Sequence, residues 1–278
     1  MTPLVPLVIG IVGLVVLILV VNGLRFQAAV RREFAELLKA SDGGEPTMVT
    51  EEDLRDLPGP VRRYLRYTGT VGTERAKTMR IKQGGSIRLS PEGRWFTFMA
   101  EQVYSTDPIA FVWSAKVKFG PFTLLRAMDR YGEGKGHMVG KLMSTFTVVD
   151  GSGKEMDQGS LMRFLNEMMW FPSVYLSDRI RWEEIDEGTA KATITDWGME
   201  VSATLHFDED SRVVDFVGPR YRMTDTGFEL DPWSTPMSEY KTYDGRRLPG
   251  VGSAVWRLDP GDFTYIKIDL TEVEINGS

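Results

Sequence analysis

The sequence predicts a mainly β (α+β) protein: an N-terminal transmembrane helix, then a large curved antiparallel sheet or half-barrel wrapped around a central helix. Three observations lead there. Residues 4–21 form an uncharged apolar run. Past residue 77 the hydropathy alternates with period two, as in half-buried strands. One segment, GSLMRFLNEMMWFP (residues 159–172), is apolar almost all round, with Arg163, Asn166 and Glu167 as its polar stripe.

The first run, LVPLVIGIVGLVVLILVV, holds 18 residues. As a helix it spans about 27 Å, close to the roughly 30 Å hydrocarbon thickness of a bilayer. No Lys or Arg precedes it and no small-x-small cleavage site follows, which favours a retained anchor over a cleaved signal peptide. Arg25, Arg31 and Arg32 lie just after it, so the Lys/Arg bias predicts a single-pass cell-membrane protein with a cytoplasmic main domain. Residues 24–40 remain helical but turn amphipathic, with Phe26, Val30, Phe34, Leu37 and Leu38 on one side, and read as a juxtamembrane stalk. SDGGEPT (residues 41–47) breaks the pattern. The expected organisation is an anchor at 1–24, a juxtamembrane helix and linker at 25–46, and one β-rich soluble domain at 47–278.

PGPVRRYLRYTG predicts a short helix, opened by Pro and closed by Gly69. Strands follow. The clearest is 199–207, where Val201, Ala203, Leu205 and Phe207 alternate with Glu200, Ser202, Thr204 and His206. Ile266, Ile268 and Leu270 repeat the pattern near the C-terminus. Further strands are expected at 77–89, 93–105, 109–118, 122–131, 136–149, 179–186, 189–197, 212–223, 236–243 and 251–258, ten to twelve in all. Short turns such as SPEG, GEGKG, DGSG and DPGD make neighbours pair antiparallel. The strand GRWFTFMAEQVY is apolar on both faces and needs cover on both. The helix at 159–171 is one candidate cover, and a sheet curled round it would bury it on more than one side.

Composition narrows the function. The chain has net charge −6; residues 1–40 carry +2, leaving −8 beyond them, which argues against a nucleic-acid partner. There is no cysteine and only two histidines, so no metal centre or cofactor is expected. GEGKGH lacks phosphate-loop spacing and reads as a tight turn. No GxSxG elbow occurs. RYRMTDTGFELDPW puts Arg220 and Arg222 on one strand face, where they suit a phosphate or carboxylate head group, or pair with Asp225 or Glu229. Trp233 follows Pro232 in an expected loop and caps either a pocket or the core. Met156, Met162, Met168 and Met169 cluster in the helix region, an adaptable apolar lining.

Several strings, LPGPVRRYLRYTG, GEGKGHMVGKLMS, GSLMRFLNEMMWFP, GPRY and PWSTPMSEYKTYDGRRLPGVGSAVW, resemble a bacterial family with an N-terminal hydrophobic anchor and a domain of unknown function. That resemblance implies no catalytic residues. A curved antiparallel sheet clasping a helix is also similar in architecture to the LolA-like lipoprotein carriers. The expected role is a membrane-anchored protein, held by residues 4–21, that binds or carries an apolar or lipid-like small molecule. The expected ligand-binding residues are Arg163, Asn166, Glu167, Trp170, Arg220, Arg222 and Trp233. Two alternatives stand beside it. A membrane-associated enzyme would bring two or more of Asp129, Glu133, His137, Glu167 and Arg220 into one cleft. A structural partner-binding domain would expose an apolar patch and lack a pocket.

Overall fold

A computed structural model describes residues 4–41 and 45–277. It opens with one unbroken helix, α1 (Leu4–Ala40), long and apolar enough over its first part to cross a membrane. Of the expected break at 41–47, residues 42–44 lie outside the described residues. A second helix, α2 (Gly59–Tyr67), carries Pro60 near its start, and Gly69 just past its end sits at φ 75°, the left-handed cap that glycine accepts.

Fourteen strands follow among the described residues: β1 (Thr78–Ile87), β2 (Phe96–Thr106), β3 (Ile109–Phe119), β4 (Phe122–Gly132), β5 (Lys135–Leu142), β6 (Phe146–Gly151), β7 (Ile180–Asp186), β8 (Thr189–Asp196), β9 (Met199–Phe207), β10 (Val213–Thr224), β11 (Gly227–Ser234), β12 (Met237–Tyr243), β13 (Arg246–Trp256) and β14 (Phe263–Ile275). They form one antiparallel sheet in the order β6-β5-β4-β3-β2-β1-β14-β13-β11-β10-β9-β8-β7, with β12 paired to β13. Between β6 and β7 lies α3 (Lys154–Glu167), continued by 3-10 turns at Met168–Trp170 and Pro172–Leu176.

The sheet curls into a half-barrel around α3. The helix packs on β4 and β5 from one side and on β9 and β10 from the other. Tyr131 of β4 donates to Asp196 at the end of β8 at 2.8 Å, across the concave side. Leu161, Met162, Phe164, Leu165 and Met168 are all buried. Each apolar side chain taken from water contributes about 1.5–3 kcal/mol, so a helix apolar all round is stable only inside such a wall. The approach is closest at Gly136 on β5, where any β-carbon would collide with Met156 and Ser160 of α3. Asp157 locks that contact by accepting from the Gly136 amide at 2.8 Å and from Lys135 Nζ at 3.0 Å.

The structure corrects several expectations. The segment 136–149 is two strands, because Met143 and Ser144 adopt positive φ and make a tight turn. Neither residue is a usual left-handed type, so turn chemistry gives no warning. Trp233 is not in a loop but in β11, which register with β10 holds as a strand despite Gly227 and Pro232. The helix starts at Lys154, five residues earlier than expected, and Pro172 opens the next turn rather than ending the helical segment. The second half of α1 is not a free stalk. Val30, Phe34 and Leu37 pack on Val103 and Val112 of β2 and β3. The outer cover that β2 requires is therefore α1.

Candidate functional site

Between α3 and the concave face lies a cavity of ≈ 330 Å³. That is at the low end of the ~300–1,000 Å³ usual for small-molecule sites. Its wall is mostly apolar: Ile87, Met138, Met156, Trp233, Trp256 and Ile268 among others. All seven expected residues, Arg163, Asn166, Glu167, Trp170, Arg220, Arg222 and Trp233, line it.

The polar stripe of α3 forms the floor. One helical turn separates Arg163 from Glu167, so both point to the same side. Arg163 donates to Glu167 Oε1 at 2.9 Å, to Asp129 Oδ2 at 2.8 Å and to Gln102 Oε1 at 2.9 Å. Glu167 Oε2 accepts from Gln102 at 2.9 Å and Tyr104 at 2.8 Å. The guanidinium also stacks 5.1 Å above the rings of Phe111 and Trp113. Burial alone would lower the Arg163 pKa, but the two carboxylates outweigh it and hold the group above its ordinary value. Burial raises the Tyr104 phenol well above its usual value, and Glu167 adds to that. With two carboxylates sharing one arginine, Arg163 is already paired and the floor offers no free cation to an acidic ligand. Two buried atoms around it have no partner among the described residues: Gln83 Nε2 and Asp129 Oδ1.

The remaining expected residues are held individually. Asn166 donates to Thr235 at 2.6 Å and Trp170 to the Pro249 carbonyl at 3.1 Å. Arg222 is spent on Asp231 and Glu229, both at 2.7 Å, so one of its two expected partners is correct and Asp225 is replaced by Asp231. Arg220 differs. It donates to the Gly159 carbonyl at 2.9 Å and to Tyr265 Oη at 3.3 Å, and its guanidinium lies 4.6 Å over Trp233. Among the described residues no carboxylate forms an ion pair with it, which sets it apart from Arg163 and Arg222. Trp233 donates to the same Tyr265 oxygen at 3.2 Å, which fixes both groups.

Of the five residues whose convergence would mark an enzyme, Asp129, Glu167 and Arg220 line the cavity; Glu133 and His137 do not. Glu133 sits in the β4–β5 turn at positive φ, and His137 pairs with Asp150 at 2.8 Å. Sequence reasoning missed Gln83, Gln102 and Tyr104. The signal was present: Gln102 falls on the inward period of Phe98 and Ala100, and Gln83 on that of Met79 and Ile81, so each is a polar residue on a core face.

A protein-family model described as a family of unknown function (DUF6544) matches residues 47–268. The chain belongs to this family. The matched span takes in the whole cavity wall and α3. No curated protein matches the chain. Solved structures with a similar fold include a DUF1329 family protein from Desulfovibrio piger, at 12% identity and TM-score 0.48, covering 79% of this chain and 94% of that one. A putative outer membrane lipoprotein-sorting protein domain from Vibrio parahaemolyticus aligns at 9% identity and TM-score 0.40, over 72% of this chain and 86% of that one. A LolA superfamily protein from Nitrosomonas europaea aligns at 8% identity and TM-score 0.41, over 73% and 88% respectively.

Proposed function

We propose that this member of the family is a membrane-anchored binding or carrier domain that holds one apolar, acyl-bearing ligand with an acidic head. The observation that carries the reading is an apolar cavity whose one cation without a carboxylate partner, among the described lining residues, is Arg220. A chain-like tail fits the Met- and Trp-rich wall, and a carboxylate or phosphate head pairs with Arg220. Residues 1–24 serve as the anchor, 47–278 as the binding domain and 25–46 as the join, with the domain on the cytoplasmic side by the Lys/Arg bias. A reporter fused after Ser278 that works only outside the cytoplasm would reverse that side.

The test is organic extraction and native mass spectrometry of the full chain purified in mild detergent. Wild type should carry an acyl compound. Gly252→Leu should carry much less, because Gly252 lines the cavity and a β-carbon there meets only ordinary contacts, leaving the added side chain to occupy ligand space. A wild-type chain that co-purifies with nothing and binds no fluorescent fatty acid refutes the reading. One observation favours a second reading, an enzyme acting on the bound ligand: the free, buried Oδ1 of Asp129. Chemical change of the ligand by wild type but not by Asp129→Asn would support it.

A further inference from the structure

The turns at one end of the sheet lie side by side. Ile266 of β14 pairs with Ile87 of β1, and Ile87 with Phe96 of β2. Thr97 pairs with Lys118 of β3, Phe119 with Phe122 of β4, and Leu125 with Leu142 of β5. The β1–β2, β3–β4 and β5–β6 turns therefore form one continuous rim. Each turn exposes large apolar side chains: Leu89 is 77% exposed, Phe122 73% and Phe146 61%, with Phe119 and Met143 beside them. Basic residues stand among them, namely Arg88, Arg94, Lys116, Lys118, Arg126 and Lys141. Glu92 is the only acid within 86–97, 116–126 and 141–148, in a chain of net charge −6. The Arg94 guanidinium lies 5.7 Å over the Phe119 ring.

Helix α1 meets the domain at this rim. Asn22 Nδ2 donates to Thr145 Oγ1 in the β5–β6 turn at 3.2 Å, and Gly23 lies against Ser144 and Arg126. From there the helix runs away from the rim along the outer face, where Glu33 pairs with Arg130 at 3.2 Å and Phe34 and Leu37 reach Val103 and Val112. In the other direction residues 7–20 extend past the rim, almost wholly uncovered by the domain. The rim therefore faces whatever surrounds that apolar segment.

We infer that the rim is a second membrane contact: its turns seat in the boundary between head groups and acyl chains of an anionic bilayer, beside the anchor. The inference rests on the reading of residues 4–21 as a membrane span. Exposed apolar turns ringed by Lys and Arg are the composition that binds such a boundary, through buried apolar area plus attraction to anionic lipid. A contiguous patch of this kind left in water is a liability. The cavity wall reaches the rim: Ile87 and Val149 line the cavity, and they stand two residues from Leu89 and three from Phe146. Seating the rim turns that side of the cavity toward the acyl region.

The chain has no cysteine, so an introduced thiol carries a single fluorophore. Full-length Phe122→Cys, Phe146→Cys, Val12→Cys and Arg55→Cys are labelled with NBD and reconstituted in phosphatidylglycerol–phosphatidylcholine vesicles, with and without a lipid bearing a nitroxide. Arg55 follows the 3-10 turn Glu52–Leu54, whose Asp53 pairs with Arg75 ahead of β1, at the opposite end of the sheet. The expected result is loss of emission at Phe122 and Phe146 as well as Val12, and none at Arg55. In phosphatidylcholine alone at high salt the loss at Phe122 and Phe146 should shrink while that at Val12 stays. Quenching at Val12 without quenching at Phe122 and Phe146 overturns the inference and leaves the anchor standing. No quenching at Val12 overturns the anchor and the inference together. Emission at Phe122 that depends on protein density but not on the nitroxide lipid assigns the rim to a second copy of the chain and likewise overturns it.

Discussion

Replacing Arg163 with Met keeps the apolar stem of the side chain and removes its charge. What remains is severe: Asp129 and Glu167, each about 6% exposed at the side chain, lose the cation they share. Glu167 keeps Gln102 and Tyr104 as donors, while Asp129 has no other donor among the described residues, its Oδ1 being unpartnered there already. Removing one member of a buried ion pair costs about 3–5 kcal/mol, because the abandoned charge stays desolvated. The lost stacking over Phe111 and Trp113 adds to it. Cooperative melting of the β domain should fall by roughly 6–20 °C at 2–4 °C per kcal/mol. The informative comparison is the triple variant Arg163→Met, Asp129→Asn, Glu167→Gln. With all three charges gone, replacement of a buried network is often neutral or stabilising. The triple should recover more than half of the loss, measured by urea unfolding of the full chain in detergent with tryptophan fluorescence. A single variant within about 1 kcal/mol of wild type would show that the floor is solvated, since only exposed pairs are worth so little. A triple worse than the single would show that the three groups do not act as a unit.

Other outcomes follow from the same geometry. Gly136→Ala should cost about 1–3 kcal/mol by overpacking, because the new methyl meets the Met156 backbone of α3; urea midpoints read this directly. Burial raises the Asp196 pKa above its ordinary value, with the Tyr131 hydrogen bond and Arg179 only partly offsetting it. A raised carboxyl helps the folded state while protonated and loses that help as pH rises through its folded value. The melting temperature of Asp196→Asn relative to wild type should therefore climb as pH rises above the ordinary aspartate range of about pH 4; a difference that falls on that side contradicts the assignment. Arg220→Gln should weaken an acyl ligand with an acidic head roughly ten- to hundredfold, the worth of one charge-assisted contact. It should leave the matching methyl ester unaffected, as isothermal titration would show.

Much of the architecture was legible because it rests on local pattern. A helix apolar on every side, set among alternating strands, has few places to be except inside a curled sheet, and α3 is there. Arg163, Asn166 and Glu167 were recognisable as a stripe because helical spacing is short-range. Their partners were not, since Gln102 and Asp129 reach Arg163 from strands more than thirty residues away in sequence, and only register brings them together. β11 was hidden because Asp231, Pro232 and Gly227 speak against a strand locally, and pairing with β10 overrides them. Residues 24–40 read as a juxtamembrane stalk because an amphipathic pattern does not name the surface its apolar side meets; that surface is the outer face of β2 and β3.

That α1 continues without a break from residue 4 to residue 40 has a thermodynamic consequence. A flexible tether would let the domain tumble and would dilute a cavity near the bilayer over a hemisphere of orientations. A continuous helix clamped to β2 and β3 fixes the heading instead. Once residues 4–21 lie in lipid, a ligand passing between bilayer and cavity moves from one apolar medium to another. It is spared the roughly 0.8 kcal/mol per methylene that a detour through water would add to the barrier. On the proposed reading, the helix would then set the rate of exchange as much as the site of attachment.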